Sequence, residues 1–158
     1  MGLKIINKVQ ALPCDPLYSY KKRSLTSINK IIIHHSATPT GSCEAFARYH
    51  VENNGWPGIG YHYVIDPQGN IYKTQNIGTI SYHASGYNPS SIGICLIGDF
   101  NNSHPTQEAF DACVSLANEL ISTYKNICYV LSHKEAGATT SCPGKYFDMN
   151  RLRKEIKK

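Results

Sequence analysis

Two histidines and one cysteine stand at positions from which their side chains could meet. His34 lies near the carboxyl end of a β-branched run, residues 30–35, which predicts a buried strand. His133 directly follows a second apolar stretch, residues 128–132, and Cys142 comes nine residues later in a loop beside Thr and Pro. Zn²⁺ binds imidazole and thiolate well, and a catalytic zinc site uses three protein ligands and keeps a fourth position open. The pattern is therefore compatible with a mononuclear zinc centre.

These three residues alone are not sufficient to predict a metal centre. The chain has seven histidines and six cysteines, so chance combinations are many, and the same side chains could be satisfied polar groups at loop edges. The cysteine spacing matches no small disulfide scaffold, and 158 residues are enough to fold without one. We expect no essential disulfide, with Cys95 and Cys113 buried as small apolar side chains.

The elements that would position these residues alternate between strand and helix. Strands are expected over 30–35, 92–97 and 128–132, with a hairpin around Asp66-Pro67-Gln68-Gly69-Asn70. Helices are expected over 42–53, 107–124 and 147–156, the second capped by Thr106. This alternation predicts an α/β fold with a central, mostly buried, mixed β-sheet flanked by helices. Ligands tend to bind beyond the carboxyl ends of strands in such folds, where His34 and His133 fall.

The domain organisation is simple. Residues 1–27 contain Pro13 and Pro16 and are expected to be irregular, and residues 28–158 form one domain. The cluster Lys21-Lys22-Arg23 is short and is expected to be solvated.

Composition excludes several classes of protein. Hydrophobic residues make up 41% and charged residues 17%, which is typical of a globular chain. The sequence contains no apolar run of 18 residues, so no membrane span is expected. The net charge of +5 is mild and is not concentrated in basic runs with aromatics, so no nucleic-acid partner is expected. Polar residues interrupt the N-terminal apolar residues, so no signal peptide is predicted, and we expect the chain to be cytoplasmic at synthesis and to reach its target after release or export by another factor. We also expect a monomer.

Four segments, taken in order, carry a resemblance to a known family: IIIHHSAT, GWPGIGYHYVI, SYHASGYNPSSIGICLIGDF and LSHKEAGATTSCPG. Together they closely resemble the zinc-dependent N-acetylmuramoyl-L-alanine amidases (amidase type 2), a family shared by bacteriophage lysozyme-type amidases and peptidoglycan recognition proteins. The resemblance covers about residues 28–155 and implies that family's fold. Any one segment would be a weak signal, but four in the correct order and spacing are highly specific.

The resemblance also implies roles for individual residues. It implies one Zn²⁺ per chain, bound by three ligands: His34, His133 and Cys142. It implies a catalytic role for Tyr61, whose hydroxyl would hydrogen-bond the reacting water or the developing oxyanion. Thr140 occupies a position where some phage members carry lysine. A threonine can donate a hydrogen bond to an oxyanion there, but it cannot supply charge.

Further residues are implied to contact the substrate, bacterial peptidoglycan: His83, Asn88, Trp56 and His35. The motif SYHASGYN favours a substrate contact for His83 over a surface role. Asn88 could orient the loop or the stem peptide. Trp56 could line the groove or anchor the core, and His35 could lie in the groove or behind the metal. The remaining histidines are expected to be structural or solvated: His50, His62 and His104.

The resemblance implies metal-assisted hydrolysis of the amide bond between N-acetylmuramic acid and L-alanine. One alternative is a module that binds peptidoglycan without cutting it, and another is a zinc enzyme that acts on a different amide. Non-cutting members of the family typically lack the cysteine ligand. The presence of Cys142 together with both histidines and Tyr61 therefore favours catalysis.

Overall fold

A six-stranded mixed sheet forms the centre of the molecule. In a computed structural model, which describes residues 3–156, the strands follow one another along the chain as β1 (Ile5–Asn7), β2 (Lys30–His35), β3 (Tyr63–Ile65), β4 (Ile71–Lys73), β5 (Ser91–Leu96) and β6 (Tyr129–Ser132). Their order across the sheet is β1-β4-β3-β5-β2-β6. The β3–β4 hairpin is antiparallel, whereas the other neighbouring strands run parallel. The predicted α/β fold with a mixed sheet is confirmed.

Three helices flank the sheet: α1 (Cys43–Glu52), α2 (Gln107–Thr123) and α3 (Met149–Glu155). Side-chain oxygens cap each amino terminus, and the expected cap is confirmed at α2, where Thr106 accepts from the backbone N–H of Ala109. Helix and strand boundaries agree with the sequence-based expectations to within two residues. No helix in the described range 3–156 is long and apolar enough to cross a membrane.

The two faces of the sheet carry different side chains. Alternation along β2 sends Ile31 and Ile33 into the main core, which also contains the buried sides of α2 and α3. Ile32 and His34 point to the opposite face, where Ile32 packs against two alanines of neighbouring loops. On that second face, Cys95 of β5 belongs to a smaller core built around α1. One face of the sheet thus supplies most of the apolar core, and the other holds polar side chains near its carboxyl edge.

The N-terminal segment departs from the expectation in two places. Residues 5–7, expected to be irregular, form β1 and pair in parallel with β4 at the sheet edge, so that expectation is wrong there. Arg23, expected to be solvated, is partly buried and donates to three carbonyl oxygens, those of Ile77, Asn88 and Ser91. Burial lowers the pKa of Arg23 to about 10, and its hydrogen bonds tie the N-terminal segment to the first residue of β5 and to the chain before it.

All six cysteines are free thiols in the structure. Cys95 and Cys113 are fully buried at 0% exposure, as expected of small apolar side chains. Cys142 is also buried, although it comes from a loop.

Candidate metal centre

His34, His133 and Cys142 come together at the carboxyl edge of the sheet. One ligand atom from each lies within 4.8 Å of the other two, and His34 Nδ1 is 3.8 Å from Cys142 Sγ. A tetrahedral zinc ion with ordinary bond lengths would hold a nitrogen and a sulfur about 3.6 Å apart. Among residues 3–156 this is the only such group of three or more metal-ligating side chains. The donor types and their spacing fit a zinc ion.

Sheet pairing explains why the three side chains meet. Strands β2 and β6 are parallel neighbours with Ile33 opposite Ser132, so His34 and His133 leave the same edge of the sheet. The backbone N–H of His133 donates to the carbonyl of Ile33 at 3.1 Å, which fixes the exit of β6. The loop that carries Cys142 is tied back to the same region, since Lys134 N–H donates to the Cys142 carbonyl at 3.0 Å.

The electrostatics of the cluster suit a cation. Burial, followed by the nearby His133, lowers the pKa of His34 well below its ordinary value, and burial also lowers the pKa of His133. Both imidazoles are therefore neutral near pH 7 and have a lone pair to offer. Burial raises the pKa of the Cys142 thiol to about 12, an effect partly offset by a backbone hydrogen bond from His35. A bound cation would take the thiolate form, so metal binding releases a proton.

His35 contributes through its backbone. Its N–H donates to Cys142 Sγ at 3.3 Å, a contact that stabilises a thiolate. Its ring packs 5.9 Å from the ring of Phe100, and its Nδ1 accepts from the Phe100 N–H. His35 borders the pocket beside the cluster, but its imidazole points to the core face of the sheet. A substrate contact by His35 stays a prediction.

Tyr61 and Thr140 line the same pocket as the three candidate ligands. The Tyr61 ring lies 5.2 Å from the His34 ring, and Tyr61 precedes β3 by two residues. Burial raises the pKa of Tyr61 well above its ordinary value, and the neighbouring sulfurs of Cys95 and Cys142 raise it further. Its hydroxyl is therefore a neutral hydrogen-bond donor at any working pH.

Thr140 forms a local turn with the candidate cysteine ligand. Its Oγ1 accepts the backbone N–H of Cys142 at 3.1 Å. That bond uses a lone pair and leaves the hydroxyl proton available to a molecule in the pocket.

The pocket beside the cluster has a volume of about 270 Å³ and a partly aromatic wall. Trp56 is one part of that wall, with its ring 4.7 Å from His50 and 5.8 Å from Tyr82. Trp56 therefore both lines the pocket and packs against neighbours. Tyr82 was not predicted as a pocket residue, although it directly precedes His83 in the motif SYHASGYN. His50 is structural as expected, because its Nδ1 accepts the Gly60 N–H at 2.9 Å.

His83 and Asn88 are held by internal hydrogen bonds. Both ring nitrogens of His83 have protein partners, His34 Nε2 at 3.0 Å and Ser91 Oγ at 3.2 Å. A substrate contact through the imidazole would have to break one of these bonds. Asn88 Oδ1 accepts the backbone N–H groups of His83 and Ala84, so Asn88 orients the loop, one of its two expected roles.

The fold and the cluster define an α/β domain with a candidate metal centre at the carboxyl edge of its sheet. The family model described as N-acetylmuramoyl-L-alanine amidase matches residues 24–145. The chain belongs to this family.

Solved structures and sequence relatives agree with that assignment. The N-acetylmuramoyl-L-alanine amidase LysC from Clostridium intestinale URNW is 26% identical, with a TM-score of 0.83 over 98% of both chains. Peptidoglycan recognition protein-LE, solved in complex with monomeric diaminopimelic acid-type peptidoglycan, is 26% identical, with a TM-score of 0.82 over 94% of this chain and 92% of that one. Peptidoglycan-recognition protein SC2 of Drosophila simulans is 31% identical over 134 residues, 78% of this chain and 72% of the relative. Family membership alone is compatible with cutting and with binding.

Proposed function

We propose that this protein is a zinc-dependent amidase that hydrolyses the bond between N-acetylmuramic acid and L-alanine in bacterial peptidoglycan. The observation that carries the proposal is the convergence of His34, His133 and Cys142 within 4.8 Å at the edge of a pocket. A module that only bound the polymer would not need three metal-ligating side chains that converge beside a pocket. Membership of the amidase family supports the same reaction.

The residues around the pocket would have different roles in this reaction. The three ligands would hold a zinc ion, which supplies a Lewis acid that polarises the scissile carbonyl and activates water. Tyr61 keeps its proton because it is buried, so it can donate to the oxygen on which negative charge develops. Thr140 can donate to the same oxygen from the loop that carries Cys142. Trp56 and Tyr82 form an apolar wall against which a sugar or peptide can lie.

Binding without cutting is the second candidate function. It is favoured by relatives that are named for recognition rather than for cleavage. The two functions share a groove and differ in the metal centre, so the metal and the reaction products distinguish them.

The first experiment is metal analysis of the purified protein. We expect close to one zinc per chain, with zinc lost in His34→Ala and Cys142→Ser because each removes one of three ligands. Cys113→Ser is a matched control, since Cys113 is also buried but lies against the opposite face of the sheet. Full zinc content in the His34→Ala protein would contradict the ligand assignment.

The second experiment is digestion of purified sacculi followed by mass spectrometry. We expect free stem peptides that begin with L-alanine, together with glycan strands of intact sugars, and no release by Cys142→Ser. Sedimentation of the intact protein with sacculi without any soluble product would establish the binding module instead. Soluble fragments cut at another bond would assign a different amide or glycosidic substrate.

A further inference from the structure

A chain of buried hydrogen bonds runs away from the candidate metal centre, behind His34. His34 Nε2 lies 3.0 Å from His83 Nδ1, and His83 Nε2 lies 3.2 Å from Ser91 Oγ. Ser91 Oγ donates to the carbonyl oxygen of Tyr87 at 2.7 Å. The exposed fractions of the three side chains are 2%, 8% and 0%, so water does not compete for these bonds. We call these four groups the hydrogen-bond chain.

The directions of these bonds follow from the last acceptor. A carbonyl oxygen can only accept, so the single hydroxyl proton of Ser91 goes to Tyr87. Ser91 Oγ must then accept from His83 Nε2–H. A neutral imidazole has one N–H, so His83 Nδ1 accepts from His34 Nε2–H. The remaining lone pair of His34 is therefore on Nδ1, the atom that lies 3.8 Å from Cys142 Sγ.

The surrounding backbone holds the hydrogen-bond chain in place. The His83 ring lies flat against Gly93 of β5, where an added Cβ would come within 2.7 Å of His83 Cγ and Nδ1. Asn88 Oδ1 accepts the backbone N–H of His83 at 2.9 Å. Arg23 donates to the carbonyl of Ser91 at 2.7 Å. The His83 ring therefore has little freedom to turn its nitrogens.

We propose that His83 and Ser91 are positioning residues that fix the tautomer of His34 and so direct its Nδ1 lone pair at the zinc ion. This inference rests on the proposed function, since it concerns the same metal. Ligating histidines commonly donate their second N–H to an outer acceptor, which fixes the ring and raises the basicity of the ligating nitrogen. Here the acceptor is a second imidazole, whose own tautomer is fixed in turn by a serine. His83 thereby acts on the metal rather than on the substrate.

The test compares two variants of the same shape. Asparagine and leucine at position 83 are both branched at Cγ, but only asparagine has an oxygen near the position of Nδ1 that can accept from His34 Nε2–H. Zinc affinity is measured by competition with a chromogenic chelator, without any substrate. We expect His83→Leu to weaken zinc binding about 10–100-fold, and His83→Asn to recover much of that loss.

A serine pair supplies the matched control. Ser91→Ala removes the acceptor of His83 Nε2–H and should weaken zinc binding less than His83→Leu, because His83 Nδ1 stays in place. Ser81 is equally buried at 0%, and its Oγ donates to the Gly60 carbonyl at 2.7 Å, outside the hydrogen-bond chain. Ser81→Ala should therefore leave zinc affinity unchanged. Equal zinc affinity in the Leu and Asn variants, or equal losses in the two serine variants, would overturn the proposal.

A measurement on the metal-free wild-type protein separates this inference from the proposed function. Long-range ¹H–¹⁵N correlation spectra report which imidazole nitrogen carries the proton, and we expect Nε2–H on both His34 and His83. Nδ1–H on either ring would overturn the hydrogen-bond chain whatever the zinc affinity. The expected tautomers in a protein that binds no zinc would instead contradict the proposed function and the metal-directed role, leaving only the bonding pattern.

Discussion

Tyr61 shows how burial prepares a single side chain for chemistry. Its ring lies between the rings of His34 and His50, at 5.2 and 5.5 Å. Burial of the ring, together with the nearby sulfurs of Cys95 and Cys142, raises the pKa of the hydroxyl, so the group stays a donor and does not become an anion. A donor held in place before the reaction costs nothing to reorganise when charge develops.

Tyr61→Phe should therefore keep zinc and fold but lose activity. Removing one donor to a developing oxyanion typically costs on the order of 10²-fold in rate, with little change in substrate affinity. Turnover of sacculi is measured in parallel with zinc content. Tyr63→Phe is the control, because Tyr63 is also buried but belongs to the core on the opposite face. Wild-type turnover by a zinc-loaded Tyr61→Phe protein would remove this hydroxyl from the mechanism.

Residue types and spacing were enough to predict the candidate ligands, but not the contacts of the residues around them. His34 lies near the end of a β-branched strand and His133 directly follows another strand, a signal that is local in sequence, and the structure brings both to Cys142. The partners of His83 could not be predicted this way. They depend on which atoms face each other across β2 and β5, and a motif does not encode hydrogen-bond direction. Arg23 was missed for a similar reason, since its acceptors lie 54–68 residues away.

Among the elements, β5 positions the candidate site through one small residue. Gly93 pairs with Ile32 of β2, two residues before His34 pairs with Cys95. The missing side chain at Gly93 leaves the space that the His83 ring occupies. The position of β5 is predictable from the sequence, but this contact is not, because the loop that carries His83 folds over the strand from ten residues upstream.

Gly93→Ala should displace His83 without changing any hydrogen-bonding group. The new methyl would meet the ring at 2.7 Å, and relief of such a clash in a packed interior typically costs 1–3 kcal/mol of the free energy of unfolding. We expect weaker zinc binding together with that loss, measured by chelator competition and urea denaturation. Gly78→Ala is the control, because its nearest neighbour would be 3.9 Å away. Normal zinc affinity in a destabilised Gly93→Ala protein would mean that the His83 position does not matter to the metal.

The edge strand β1 could not be predicted from the sequence. Strand β1 has three residues that are partly or fully exposed, and its one described strand neighbour is β4. Its segment therefore carries neither a continuous apolar run nor a pattern long enough to read as a strand. The longer elements were located well, because β2 contains a continuous β-branched run and the apolar periodicity of α2 extends over seventeen residues.

At the scale of the whole molecule, several buried histidines share one side of the sheet. Burial lowers the pKa of His50 to about 4 and that of His62 to about 3. Each is neutral in the folded state and uses Nδ1 as an acceptor, from Gly60 N–H and Gly93 N–H respectively. Protonation would replace that acceptor with a second donor. The fold is therefore built for neutral imidazoles.

This arrangement predicts loss of stability in mild acid. The unfolded chain takes up protons on these histidines near pH 6.5, whereas folded His50 and His62 take them up only near pH 4 and 3. The unfolded state thus binds more protons below about pH 6.5, and each group lowers the free energy of unfolding by up to about 1.4 kcal/mol per pH unit. Their contribution is complete above pH 7 and falls as the pH drops through that window. Carboxyl groups, with ordinary pKa values near 4, contribute little above pH 5.

Urea denaturation of the metal-free protein between pH 7.5 and 5 measures this slope without interference from zinc release. His50→Gln should flatten it by about one proton, because glutamine can still accept the Gly60 N–H but does not titrate. A free energy of unfolding that stays constant between pH 7 and 5 would mean that the folded protein protonates these rings as readily as the unfolded chain does. His50 and His62 would then not be neutral hydrogen-bond acceptors in the folded protein in solution.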